Sequence, residues 1–130
     1  MKVFMNLPVA PSDNVMTTQE GNLLRVYFDF HKEEVKDNEG NVVNDPVQFS
    51  CQQVDVAGRH GYGEIVNAIM NDKYTPDQVQ AIMFNHELAK DEESDITEEK
   101  RTEYLAEYQA LQQYRAHAKE IASLVLIDIA

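Results

Sequence analysis

The stretch 51-CQQVDVAGRHGYGEIVNAIM-70 contains the change of period on which the fold turns. Through Val54 and Val56 apolar residues alternate with polar ones, the period of two that a half-buried strand requires. Ala57 to Gly63 breaks the pattern with glycines at 58, 61 and 63. Beyond it Tyr62, Ile65, Val66, Ile69 and Met70 fall at i, i+3, i+4, i+7 and i+8, the stripe of a helix with one buried face.

Upstream of the break the chemistry is that of strands. In 23-LLRVYFDFHKEEV-35, Val26, Phe28 and Phe30 alternate with Tyr27, Asp29 and His31, which predicts a strand with Val26, Phe28 and Phe30 on its inward face. The cluster 36-KDNEGNVV-43 offers Gly40 for a positive φ and predicts a hairpin turn. A return strand follows, with Val47, Phe49 and Cys51 alternating before the pattern resumes at Val54 and Val56. Pro46 has no N–H to donate, so it should mark the start of that strand or an edge position. Near the N-terminus 2-KVFM-5 reads as a short strand, and 8-PVAPSDNVMTTQEGN-22, rich in turn formers, as irregular chain.

Downstream, 73-KYTPDQVQAIMFNHE-87 specifies the start of a second helix. Thr75 is the N-cap, Pro76 occupies the first helical position, Gln78 closes a capping box, and Tyr74 with Val79 forms a hydrophobic staple. Val79, Ile82, Met83 and His86 extend one side of it, so residues 61–88 read as two short helices folded together. An acidic linker leads to a third helix, begun by Asp95 with Glu98 or by Thr97 as cap. Tyr104, Tyr108, Leu111, Arg115, Ala118, Ala122, Val125 and Ile129 form its seam, which runs about 30 residues or ~45 Å.

With 130 residues, 43% of them hydrophobic, the chain suits one domain with a single modest core. Its parts are a β-rich half over 1–57, a helical hairpin over 58–90, an acidic linker over 91–96 and a long helix over 97–130. The expected fold class is α+β, a small antiparallel sheet packed with the hairpin and the long helix.

A net charge of −12 repels phosphate backbones and anionic membranes, so neither nucleic acid nor a membrane is an expected partner. The second helix of the pair has no basic residue before Lys90, which removes the footprint of a DNA reader. The glycines of 58-GRHGYG-63 match neither phosphate-binding fingerprint and read as a flexible exit from the sheet. His86-Glu87 begins like a metalloprotease helix, but position 90 is Lys rather than His. The four histidines have no ligand spacing, and 37-DNEGN-41 lacks the glycine position of an EF-hand. The single cysteine, Cys51, excludes an intrachain disulfide and sits among alternating strand residues as a buried thiol. No nucleophile elbow is present. No enzyme, metal or cofactor is expected from these residues, and synthesis in a reducing cytoplasm is. Carboxylate pairs assembled in space are invisible at this level.

The closing 122-ASLVLIDIA-130 carries more apolar residues than one stripe needs. Two readings stand: these residues pack on the chain's own sheet, or they form a self-association or partner-docking end. The candidate partner-binding residues are therefore Leu124, Val125, Leu126, Ile127 and Ile129, together with Tyr104, Tyr108 and Tyr114, since tyrosine is favoured at interfaces.

The sequence from "FSCQQVDV" through "YGEIVNAIMNDKYTPDQVQAIMFN" to "EYQALQQYRAHAKEIA", within roughly residues 47–122, with helix anchors Ile65, Val66, Ile69, Tyr74, Ala81, Ile82 and Asn85 and the Arg115, Ala118, Lys119 ending, resembles small uncharacterised proteins that tailed phages and prophages of gut Bacteroidetes encode among structural genes. The resemblance implies a virion component or an assembly factor near the tail or its fibres. It carries over no active-site residue and does not extend to the first 45 residues. The expected function is a non-enzymatic phage structural or adaptor protein that self-assembles or docks onto a larger tail or capsid component. It would be made in the bacterial host's cytoplasm and reside in the virion. A tail-fibre assembly chaperone and an acidic inhibitor of a host nucleic-acid-binding protein are the alternatives.

Overall fold

The computed structural model describes residues 1–43 and 47–130, and Pro46, expected to open a strand or mark an edge, lies outside the described residues. In chain order the elements are β1 (Lys2–Asn6), β2 (Val15–Glu20), β3 (Leu23–Lys32), β4 (Val35–Lys36), β5 (Val42–Val43), β6 (Gln48–Ala57), α1 (Tyr62–Lys73), α2 (Pro76–Lys90) and α3 (Glu98–Asp128). The chain is α+β. Its four-stranded antiparallel sheet has the order β1-β6-β3-β2, and β4 pairs with β5 in a separate two-stranded sheet.

The expected hairpin after β3 forms as β4 and β5. Asp37 Oδ1 accepts the N–H groups of Glu39 and Asn41, and Gly40 takes a φ of +84°. Where irregular chain was expected over 8–22, the structure has a strand, β2. Glu20 pairs with Leu23, so only Gly21 and Asn22 make the turn, and Gly21 at a φ of +58° occupies the first central position that type II′ hairpins give to glycine. The polar run Thr17–Glu20 hid this strand because it lies at a sheet edge, where only Val15 needs burial.

A bulge divides the sheet into two apolar regions. Phe28 pairs with Gln52 and His31 with Ser50, which leaves Asp29 and Phe30 both facing Cys51. Asp29 adopts a φ of +56°, and Asn14 Oδ1 accepts the Phe30 N–H at 3.0 Å. The extra residue reverses the alternation. Leu24, Val26 and Phe28 join Val54 and Val56 in the main cluster, whereas Phe30 joins Phe49 and Cys51 in a second one. The expectation that Phe30 shares a face with Val26 and Phe28 is thereby corrected. On unbroken β6 residues 49 and 51 lie opposite 54 and 56, so the second cluster occupies the other face of the sheet. Val3, Met5, Leu7, Met16, Tyr27 and Val47 surround it, and Leu7 N–H donates to the Val47 carbonyl at 2.9 Å.

The main cluster is closed by helices. α1 buries Ile65, Val66, Ile69 and Met70, while Tyr62 in its first turn is exposed. α3 contributes Leu111, Ala118, Ile121, Ala122 and Val125. Ile121 lies beside the expected seam, and Ile129, expected in that seam, is exposed. α2 begins with the expected capping box: Thr75 Oγ1 accepts the Gln78 N–H at 3.1 Å, and Gln78 Oε1 accepts the Thr75 N–H at 2.8 Å. Tyr74 and Val79 both pack against the main cluster. The two short helices are nevertheless not folded onto each other; each packs principally on α3. Propensity and caps fixed their ends, and the large apolar face of α3 decided where they lie.

Candidate docking surface

The C-terminal residues of α3 divide into two sets. Val125 is fully buried in the main cluster, with Leu124 and Leu126 half-buried against it, so these three cover the chain's own sheet and Val125 is corrected from a docking residue to a core residue. Ile127, 73% exposed, and Ile129 remain outside. The helix end is tied to β2, where Thr17 Oγ1 donates to Asp128 Oδ2 at 2.7 Å. That bond offsets an acidic group at the negative end of a helix dipole.

Two of the three tyrosines are engaged within the chain. Tyr114 packs on the main cluster, its ring edge-on to Tyr74 with centroids 6.0 Å apart and the Lys73 ammonium 4.4 Å from its centroid. Burial, then the charges of Asp29 and Asp72 and the neighbouring Tyr74, push its hydroxyl up to about 12. Tyr108 stacks on His86 with centroids 3.5 Å apart and 10° between the planes. Tyr104 is half-buried.

A further uncovered surface lies on an arm formed by α2 and the first part of α3. Before Leu111, α3 gives no residue to either cluster, and α2 gives only Val79 and Ile82 at their margin. The arm is held by polar closure. Arg101 Nη1 donates to the Ala89 carbonyl at 2.5 Å and the Asp91 carbonyl at 3.1 Å, satisfying acceptors that the end of α2 leaves open. Ser94 Oγ donates to the Leu88 carbonyl at 2.8 Å, and Thr97 Oγ1 caps α3 through the Lys100 N–H at 3.1 Å. The acidic linker is thus a tied turn with its carboxylates outside. Val79, Ile82, His86 and Ala89 face α3, whereas Met83, expected in that stripe, is 43% exposed and Phe84 is 66% exposed. Leu105 of α3 is exposed as well. The signal for Phe84 was available in the sequence: a large apolar residue off the stripe of an amphipathic helix.

A cleft of about 410 Å³ between sheet and helices is lined by Met1, Asp29, Gln52, Asp72, Lys73 and Tyr114. At its edge Asp29 Oδ1 lies 2.7 Å from His117 Nε2. Cys51, the one thiol of the chain, is buried on the other face, and burial raises its pKa. Among the described residues no group of three or more His, Cys, Asp or Glu side chains is placed to hold a metal ion. No helix among them is long and apolar enough to cross a membrane.

Comparison of the chain with protein-family models, with curated proteins and with solved structures gives no match.

Proposed function

We propose that the chain is a non-enzymatic docking protein, a structural or adaptor component of a tailed phage that attaches to a larger tail or capsid component. The observation that carries the docking part is the uncovered outer face of α2, with Phe84 66% exposed on a helix that meets the main cluster only through Val79 and Ile82. Exposed apolar residues grouped on a rigid element mark interaction surfaces. The phage context comes from the resemblance of roughly residues 47–122. Ile127 and Ile129 are exposed at the far end of α3.

Peptide mass spectrometry on purified particles of the encoding phage, scaled to the major capsid protein, tests the reading. A fixed copy number is expected, and absence from particles would overturn it.

The concentration of acidic side chains on the arm also favours a second reading, an inhibitor of a host nucleic-acid-binding protein. That reading predicts abundance in the infected cell without incorporation.

A further inference from the structure

We infer that the outer face of α2 seats on a protein surface with an apolar socket bordered by lysine or arginine side chains. This deepens the docking reading above and rests on it. Residues 76–110 hold ten acidic and three basic side chains, a net −7 of the chain's −12. All three cations are engaged within the arm: Lys90 with Glu87 at 3.2 Å, Lys100 with Glu103 at 3.2 Å, and Arg101 with Glu98 at 3.4 Å and the end of α2. Among the described residues Asp91, Glu92, Glu93, Asp95 and Glu99, all exposed at the tip, have no ion-pair partner. Phe84 lies six residues before the end of α2, about 10 Å along the axis from that tip. An apolar anchor, Phe84 with Met83, is therefore bordered by uncompensated negative charge.

Charge then selects among occupants. A second copy would bring one arm of net −7 against another, and like charges across an interface oppose association. Nucleic acid and anionic lipid are repelled for the same reason. A basic protein surface is steered toward the tip, and the apolar contact supplies what salt does not screen.

The test pans a random helical-peptide display library against the immobilised full chain at low salt. Enriched peptides should combine Lys or Arg with an aromatic or aliphatic anchor. Their affinity should fall about tenfold or more in Phe84→Ser, and recover in Phe84→Leu. It should also fall about tenfold or more in a variant carrying Glu92→Gln, Glu93→Gln and Asp95→Asn, or on raising salt to about 0.5 M. Peptides without basic residues, peptides that bind Phe84→Ser unchanged, or self-association that Phe84→Ser abolishes would each overturn the inference. Particle proteomics addresses the phage reading separately. A chain absent from particles that still selects such peptides through Phe84 loses that reading and keeps this surface.

Discussion

Asn14 Oδ1 accepts the backbone N–H of Phe30 at 3.0 Å, so the turn before β2 closes the bulge in β3. Both ends of the arrangement are in the left-handed region, Asn14 at a φ of +60° and Asp29 at +56°. Asn and Asp tolerate that region better than other residues with a Cβ. Without the bulge Phe30 would lie on the helix face and the second cluster would lose its aromatic pair, Phe30 and Phe49, edge-on at 6.5 Å.

Asn14→Gly keeps the backbone conformation and removes the acceptor. It should cost about 1–3 kcal/mol, the range for a buried donor left unsatisfied. Asn14→Ala adds left-handed strain of about 1–2 kcal/mol to that loss. Urea unfolding of both variants measures the order, and Ala equal to Gly would remove strain from the account.

Arg101, whose side chain is 18% exposed, closes the end of α2 through two carbonyls. Arg101→Met should cost about 1–3 kcal/mol and release the last turn of α2, because a charged donor to the open carbonyls of the helix end, one of them part-buried, is lost while the aliphatic packing is kept. Amide exchange should quicken in residues 87–91 and stay slow in α1. Unchanged protection over 87–91 would show that Ser94 closes the turn alone.

The two ends of the apolar C-terminus should respond differently to charge. Val125→Asp places a carboxylate at a fully buried site and should abolish folding. Ile127→Asp, at a site 73% exposed, should stay within about 0.5 kcal/mol of the parent. Circular dichroism melts separate the two, and only residues 127 and 129 are suited to test docking at this end.

Alkaline pH should expose the burial of Tyr114. Its hydroxyl is pushed up to about 12 from an ordinary value of 10.0, so the unfolded chain gives up this proton first. The contribution is intact below pH 10 and is lost as pH rises toward 12, where the unfolded state binds fewer protons. Tyr114→Phe should lower the slope of stability against pH in that window, measured by thermal melts against the parent. An unchanged slope would place the hydroxyl in water.

Much of the fold is legible in the residues because it is local. Thr75, Pro76 and Gln78 set the start of α2 within one turn, and Gly40 sets the hairpin after β3. The parity change from Phe49 and Cys51 to Val54 and Val56 already recorded that β6 buries opposite faces at its two ends. What local pattern missed was long-range. The Phe30 reversal depends on Asn14, sixteen residues away, and β2 exists because β3 offers a ladder to a polar segment.

The docking surface divides in the same way. Composition and periodicity by themselves determined an acidic α+β chain with a long amphipathic helix, since charge, caps and apolar spacing act within a few residues. Only the tertiary structure decided which apolar residues that helix had left to cover. Val125, Tyr108 and Tyr114 all look available on a helical projection, yet Val125 is buried in the main cluster, Tyr114 packs beside Lys73 and Tyr74, and Tyr108 stacks on His86 of α2. Phe84 stays outside because one face of α2 is enough to pack on α3.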